Sequence, residues 1–391
     1  MINTNDFKTK TIFQPRQNPS VNGYWGIALD VGFSSVKTFS PNQVACFPSY
    51  ARKLPRGQKF LGEADNRNIL YRDENGDVWL VGMYAQNMIH EDDSDSLSEG
   101  LFVKNRFSSP MFKVIARVGL ALGMLTNQYG GPQGKNLAVQ TGLPPKHLEE
   151  YAPEIKEVLA GDHEYEIKIG NRNWEKVKYS LPLPNIRVME QPMGSLIAVS
   201  TDKNGNPVPN AKKKYLNGNV MVLDPGFGTT DIFNISERQV TCDTWDDLSM
   251  NAVLQDVCNT LHDDPGYKVK MTVPAIQKCL EKGTVRIIDK KLRKAYDKSF
   301  ATILAESSQR ICDGMLAKLD ETYKGMWYHD YLIVTGGLGA AWFDQIKEYY
   351  KGIETLKVIS GMENDNLDGI FSNVRGYCFN LLNTFKNPKV A

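Results

Sequence analysis

Short apolar runs that end at an aspartate or a glycine turn recur along this chain. Residues 24–29 run into Asp30, residues 220–223 run into Asp224, and residues 331–334 run into a glycine turn. Uninterrupted apolar runs of this length are typical of strands that are buried on both faces. The pattern therefore predicts buried sheets in which a carboxylate or a glycine turn stands at the end of a strand.

Helical periodicity appears between these strands. Residues 110–126, with Pro110 in the first turn, and residues 299–322 carry apolar side chains at helical spacing, and another helix is predicted from residue 340. Strands that alternate with helices predict an α/β architecture with ligands at the carboxyl ends of the strands. Because the strand-Asp-x-Gly unit occurs at both Asp30 and Asp224, we expect two related half-molecules that face each other across a cleft.

Three polar stretches interrupt the pattern. Residues 1–22 are predicted to form a loose extension, and the acidic stretch 91–99 and the basic stretch 201–218 are predicted to be solvated loops.

Composition narrows the class of protein. The chain has 391 residues, with 46 Lys plus Arg, 45 Asp plus Glu and a net charge of +1. At about 150 residues per domain, this length predicts two to three domains. The balanced charge argues against direct binding of nucleic acid. Scattered cysteines, a polar start and the lack of a long apolar run favour a cytoplasmic protein without a membrane segment.

Three glycine turns carry the candidate chemistry. In residues 30–37 a strand delivers Asp30, and a tight turn then exposes N–H groups and hydroxyls, which form a nest for phosphate oxygens. Lys37 can return on the next strand to neutralise β- or γ-phosphate charge. Residues 224–231 repeat this arrangement of a strand, a carboxylate, a glycine turn and hydroxyls. The glycines of residues 335–339 let a flat ring or an α-phosphate approach the backbone and a helix N-terminus.

Taken in order, the three turns predict a clamp. A triphosphate would lie between the two hairpins, and the nucleoside would rest on the third turn. Asp30 and Asp224 would hold hydrated Mg²⁺ through its water molecules, as hard cations prefer oxygen ligands.

This ordered set resembles the actin-like ATPase superfamily. Residues 190–194 and 373–376 resemble its two connecting motifs. The segments 142–144, 228–231, 336–339 and 373–376 are most similar to the plasmid-segregating bacterial actins, the ParM/StbA group. The resemblance implies an actin-like ATPase fold, in which two related ribonuclease-H-like domains surround a nucleotide cleft. It also implies a cytoplasmic filament of this chain that binds ATP or GTP with Mg²⁺, hydrolyses it, and moves plasmid DNA through a DNA-bound, ParR-like adaptor.

The resemblance also implies a domain division and a set of site residues. Domain I is expected at residues 23–195 and 357–391 and domain II at residues 196–356, after the extension 1–22. The residues expected to bind nucleotide are Asp30, Gly32, Phe33, Ser34, Ser35, Lys37, Gly226, Phe227, Gly228, Thr229, Thr230, Lys278, Glu281, Gly336, Gly337 and Leu338.

The roles of several residues stay open between alternatives. Gln191 is favoured over Glu190 for positioning the attacking water, because it directly precedes Pro192 at the predicted start of a helix. A glutamine cannot act as a strong base, but orienting water suffices when the transition state is loose. Glu190 would instead act as a general base. Asp224 is expected to take part in catalysis as well as in metal binding. Lys278 and Glu281 lie on a predicted helix at residues 273–283, where charged side chains either contact nucleotide or form a solvated face.

Two other functions compete with the filament. A small-molecule kinase on the same scaffold would need a catalytic aspartate beside its acceptor and a recognisable sugar-binding segment. A non-polymerising actin-like regulator is the second alternative.

Overall fold

Two mixed sheets with the same strand order form the centre of the molecule. The computed structural model describes residues 3–55, 57, 65–88, 106–289 and 292–386, so the acidic stretch 91–99 lies outside the described residues. The strands, in chain order, are β1 (Ile12–Pro15), β2 (Tyr24–Val31), β3 (Ser35–Ser40), β4 (Gln43–Pro48), β5 (Ala51–Lys53), β6 (Ile69–Arg72), β7 (Val78–Val81), β8 (Asn136–Leu143), β9 (Gly161–Ile169), β10 (Glu175–Leu181), β11 (Ile186–Glu190), β12 (Val220–Pro225), β13 (Thr230–Ser236), β14 (Gln239–Trp245), β15 (Thr284–Asp289), β16 (Lys294–Ser299), β17 (Tyr331–Val334) and β18 (Lys357–Ser360).

Helices cover the faces of these sheets. In chain order they are α1 (Met83–Gln86), α2 (Pro110–Met124), α3 (Leu148–Leu159), α4 (Gln191–Val199), α5 (Met250–Asp263), α6 (Val273–Cys279), α7 (Ala301–Thr322), α8 (Gly336–Tyr349) and α9 (Ser372–Lys386). The predicted helices at 110–126 and 299–322 are thereby confirmed. The helix predicted from residue 340 begins earlier, because the glycine turn itself forms the first turn of α8. None of the helices described is both long enough and apolar enough to cross a lipid bilayer.

The two central sheets are repeats of one topology. The first has the order β1-β4-β3-β2-β8-β11 and the second the order β14-β13-β12-β17-β18. In each, three antiparallel strands (β4-β3-β2 and β14-β13-β12) continue into two parallel ones. Each sheet has its own apolar core. We call the parts around them the first half and the second half, and the predicted pair of related half-molecules is confirmed.

Local sequence explains why helix α2 lies close to the first sheet. Ser109 caps the helix by accepting from the Phe112 N–H, and Pro110 occupies the first turn. A Cβ at Gly119 would lie 2.6 Å from the Leu29 side chain. Glycine at this position therefore lets the helix backbone approach the strand that carries Asp30.

Helices α4 and α9 join the halves where their backbones touch. A Cβ at Gly376 would lie 1.7 Å from the carbonyl oxygen of Gly194. Any side chain at residue 376 would therefore push the two helices apart and break this close crossing. Helix α4 starts at the end of β11 in the first half and reaches the strands of the second half. The crossing therefore forms the hinge between the halves.

The expectation of a loose extension at residues 1–22 is wrong for the described residues 3–22. Strand β1 pairs antiparallel with β4, with Ile12 opposite Cys46, and so adds a sixth strand to the first sheet. Arg16 donates two hydrogen bonds of 2.8 Å to Asp365. The alternation within this segment was too short to show a strand in the sequence.

The stretch 201–218 is also better anchored than a solvated loop. Arg375, which is fully buried, donates to the carbonyl oxygens of Thr201 and Asp202 at 3.0 and 2.7 Å. The Tyr215 side chain is buried against Tyr331. Both ends of the stretch are therefore held by the body of the protein.

One expected domain boundary does not agree with the strand pairing. Strand β18, which begins at Lys357, pairs parallel with β17 and so belongs to the second half. Helix α9 packs against β2 of the first half. The return to the first half therefore falls between residues 361 and 371 rather than at residue 357, because a strand that completes a sheet cannot be separated from it.

Candidate functional site

A cavity of about 940 Å³ lies between the two halves. The hairpin β2–β3 and the hairpin β12–β13 line it from opposite sides, and the start of α8 and residues 6–10 line it as well. This volume is within the range of pockets that hold small-molecule ligands. The site therefore lies where strand ends from both sheets meet, as the sequence predicted.

In the first hairpin, Asp30 is buried and held from two sides. Lys37 stands opposite Asp30 in the β2–β3 pairing, and its Nζ lies 2.9 Å from Asp30 Oδ2. Gln191 donates from Nε2 to Asp30 Oδ1 at 3.0 Å. Burial works to lower the pKa of Lys37, but the Asp30 carboxylate outweighs it and the pKa is raised. Lys37 therefore carries a full positive charge into the cavity.

In the second hairpin, Asp224 is the buried carboxylate. It accepts a hydrogen bond of 2.7 Å from Asn373 Nδ2. Ser195 Oγ lies 2.6 Å from Asn373 Oδ1, and because an amide oxygen can only accept, Ser195 is the donor. Burial raises the pKa of Asp224 to about 6, although the Asn373 hydrogen bond and the charge of Lys37 work against this. The hinge helices thus orient the carboxylate through this chain of hydrogen bonds.

The tips of the hairpins and the third glycine turn fit closely together. A Cβ at Gly228 would lie 2.5 Å from the Phe33 ring, so the two hairpins meet at these residues. Gly336 has a φ of +78°, and a Cβ there would lie 2.3 Å from Asp224 Oδ1. A side chain at residue 336 would fill the space beside the carboxylate, which explains the glycine.

These residues fit a nucleotide with Mg²⁺ by the chemistry of their donors. Asp30 and Asp224 supply carboxylate oxygens that can hold the water ligands of Mg²⁺, and this leaves coordination positions for phosphate oxygens. Lys37 supplies the positive charge that phosphates require. Ser34, Ser35, Gly226 and Thr229 also line the cavity, as do Gly32, Phe33, Phe227, Gly228, Gly336, Gly337 and Leu338.

The structure separates the two candidates for positioning water. Gln191 lines the cavity, and Glu190 is not among the lining residues within the described part of the chain. Glu190 is instead the last residue of β11, paired with Leu143, and directly precedes α4. Only Gln191 therefore reaches the carboxylate of the first hairpin.

Thr230 does not reach the cavity, contrary to expectation. Its side chain is fully buried and its hydroxyl donates to the carbonyl oxygen of Leu248. Asp231 accepts from Thr229 at 3.2 Å and from Thr244 at 2.9 Å, and burial raises its pKa to about 8. Because residues alternate sides along a strand, Thr229 and Asp231 face the cavity while Thr230 ties the hairpin down.

Lys278 and Glu281, which were expected to bind nucleotide, also lie outside the cavity. Neither lines the cavity as the structure describes it, and both side chains are exposed. Glu281 forms an ion pair of 2.8 Å with Lys8. The buried face of α6 packs into the core of the second half, which turns the charged face toward the N-terminal segment.

No sequence pattern pointed to Arg106 as a residue of the site. Its guanidinium lies 4.4 Å from the centre of the Phe33 ring and donates to the Val31 carbonyl oxygen at 2.7 Å. Burial lowers the pKa of Arg106 to about 10, which still leaves it charged at neutral pH. Arg106 therefore supports the first hairpin with a positive charge. Trp342 is buried in the core of the second half, with its indole N–H donating to Ser308 at 2.9 Å.

A protein-family model matches the part of the chain that carries the first hairpin. Residues 28–194 match the family described as actin like proteins N terminal domain. No curated protein matches the chain by sequence.

Solved structures extend the agreement to the rest of the chain. A non-polymerisable quadruple mutant of pCBH ParM superposes with a TM-score of 0.67 at 20% identity, covering 93% of this chain and 99% of that one. The subunit of a 15-stranded ParM filament from Clostridium botulinum gives 0.67 at 18% identity, with 92% and 99% covered. Apo pSK41 ParM gives 0.59 at 18% identity, with 94% and 99% covered. The chain therefore shares the fold of these ParM structures over nearly its whole length.

Proposed function

We propose that this actin-like chain is a filament-forming nucleotidase, which binds ATP or GTP with Mg²⁺ between its two hairpins and hydrolyses it. One observation carries the proposal. Asp30 and Asp224, from equivalent strands of the two repeated sheets, line one cavity together with Lys37 and Gln191. Two carboxylates, a lysine and an amide on opposite walls of a cleft suit a metal-bound triphosphate better than an uncharged ligand.

Each of the charged residues in the cavity would have its own role at the phosphates. Mg²⁺, when bound, would offset the charge that develops on the transferred phosphoryl group. Asp30 and Asp224 would hold its water ligands, and Lys37 would contact phosphate oxygens. Backbone N–H groups of the hairpin turns would complete the cradle.

Gln191 would orient the attacking water. Its Nε2 is committed to Asp30, which leaves its Oε1 to accept a hydrogen bond from water. A glutamine cannot remove the proton itself, but placing the water in line with the phosphorus atom suffices when the transition state is loose.

The position of Gln191 links hydrolysis to the hinge. The residue opens helix α4, whose Gly194 touches Gly376 of α9. Nucleotide contacts on both hairpins would favour the closed cleft, and loss of the γ-phosphate would remove part of that preference. We propose that the closed form assembles into filaments and that hydrolysis weakens them.

The resemblance to the ParM/StbA group supports a finer proposal. The filament would move plasmid DNA in a bacterial cytoplasm, and a ParR-like adaptor would carry the DNA contact. The net charge of +1 favours an indirect link to DNA. A gel-shift titration of the chain alone with plasmid DNA at physiological salt would show no complex. A salt-dependent complex would contradict the need for an adaptor.

Assembly and turnover can be tested together. Purified chain with Mg²⁺ and ATP or GTP is expected to scatter light, to sediment and to release phosphate without any acceptor molecule. Asp224→Asn should lose all three, whereas Asp162→Asn, an exposed residue of β9, should behave as the wild type. Bound nucleotide without sedimentation would favour the non-polymerising regulator. Phosphate transfer that requires a small acceptor would favour the kinase.

A further inference from the structure

Residues 3–18 form a segment with anchors in both halves of the molecule. Strand β1 is fixed to β4 in the first sheet, and Asn18 donates to the Ser40 carbonyl oxygen at 2.7 Å. Arg16 holds Asp365, which also accepts from the buried Arg375 of α9 at 3.1 Å. This end of the segment is therefore fixed to the first sheet and, through Asp365, to helix α9.

The other end of the segment is bound to the second half. Thr4 is buried and its hydroxyl donates to the carbonyl oxygen of Leu280 at 2.7 Å. Phe7 packs against the apolar core of the second half. Lys8 pairs with Glu281 at 2.8 Å, just after helix α6. A short helical turn, Thr4–Phe7, places these side chains and contacts α8.

The same segment also passes over the cavity. Asp6, Phe7, Lys8, Thr9 and Lys10 all line the cavity that contains Asp30 and Asp224. The family match begins only at residue 28, so this stretch lies outside the matched domain. The cavity thus has a wall supplied by the N-terminal segment of the chain itself.

We propose that residues 3–18 are a strap that closes the cavity and retains bound nucleoside di- or triphosphate. This inference rests on the proposed nucleotide binding. The first-half anchor is a strand with backbone pairing, whereas the second-half anchor depends on one buried hydroxyl, one aromatic ring and one partly exposed ion pair. The second-half anchor is therefore the one that opens when nucleotide leaves.

The test measures nucleotide release from the full chain. Wild type and the Thr4→Val, Lys8→Gln double variant are loaded with Mg²⁺ and a fluorescent ADP, and release is followed after addition of excess unlabelled ADP. Valine keeps the shape of threonine but leaves the Leu280 carbonyl without its donor. We expect release to be faster by roughly fivefold or more, the factor that one lost buried hydrogen bond provides. Release at the wild-type rate would overturn the strap.

Two further variants control for charge and for folding. Lys178→Gln removes the same charge from a more exposed ion pair, with Glu164 on strand β9, and should leave release unchanged. Lys8→Gln alone keeps the buried Thr4 bond and should accelerate release by a smaller factor. Acceleration by Lys178→Gln equal to that of the double variant would also overturn the strap.

A second measurement separates the strap from the proposed function. Backbone hydrogen exchange of residues 336–345, which line the cavity at the start of α8, is compared in nucleotide-free wild type and double variant. Faster exchange in the variant supports the strap even if the wild type holds no nucleotide, an outcome that would contradict only the proposed function. If exchange is unchanged and the chain holds no nucleotide, both the strap and the proposed nucleotide binding are overturned.

Discussion

Gln191 donates a hydrogen bond from Nε2 to Asp30 Oδ1 at 3.0 Å. The donor is the first residue of the hinge helix α4, and the acceptor is the last residue but one of the buried strand β2. A movement at the hinge therefore changes the relation between the residue that would orient water and the carboxylate that would hold the metal's water ligands. This contact is the structural basis of the coupling that we propose between cleft closure and hydrolysis.

Replacing Gln191 by alanine should slow hydrolysis far more than binding. The substitution removes the group that would orient water but leaves Asp30, Asp224 and Lys37 in place. We expect phosphate release to slow by about 100-fold, the cost of losing the position of a reacting group, with longer-lived filaments. Stopped-flow binding and single-turnover phosphate release measure the two effects separately. Glu190→Gln is the matched control, and a larger loss of turnover in that variant would favour Glu190 as the base.

The Asp224 carboxyl should titrate well above the ordinary range. Burial raises its pKa to about 6, so this group is protonated below pH 6 in the nucleotide-free chain and ionised above it. Bound Mg²⁺ needs the ionised form and should move the pKa down. Carboxyl ¹³C NMR of aspartate-labelled protein should show a resonance with this midpoint that is missing from Asp224→Asn and disappears with Mg²⁺ and ADP. A midpoint near 4 without ligand would contradict this environment.

The sequence predicted the centre of the site better than its edges. Asp30, Asp224 and the glycine turn at 336 were recognisable because a strand, a carboxylate and a glycine follow one another directly in the chain. Lys278 and Glu281 were misplaced because the face that α6 buries, which depends on packing with residues distant in sequence, leaves both side chains exposed outside the cavity. Strand β1 was missed because its pairing with β4, rather than its own short pattern, makes it a strand.

The crossing of the hinge helices should tolerate no side chain. Gly376→Ala would place a methyl group 1.7 Å from the Gly194 carbonyl oxygen. We expect a loss of about 1–3 kcal/mol in the free energy of unfolding, as for other overpacked sites. The matched control is Gly352→Ala, since a Cβ there meets nothing within 4 Å. Thermal unfolding measures both, and equal melting temperatures would contradict the close crossing.

Tyr50 and Gln277 form a buried hydrogen bond between the halves. The Tyr50 hydroxyl donates to Gln277 Oε1 at 2.6 Å, from the link between β4 and β5 to helix α6. Tyr50→Phe should cost about 1–3 kcal/mol because the amide oxygen loses its partner. Adding Gln277→Leu should recover part of this loss, since no polar group is then left unpaired. Melting temperatures of the single and double variants test the bond, and additive losses would contradict it.

Negative-stain electron microscopy with a slowly hydrolysed ATP analogue and Mg²⁺ tests the central claim most directly. The account predicts that the wild type forms filaments with the analogue and none without nucleotide, and that Asp224→Asn forms none in either condition. Single particles of the wild type, in a sample shown by fluorescence titration to have bound the analogue, would contradict it.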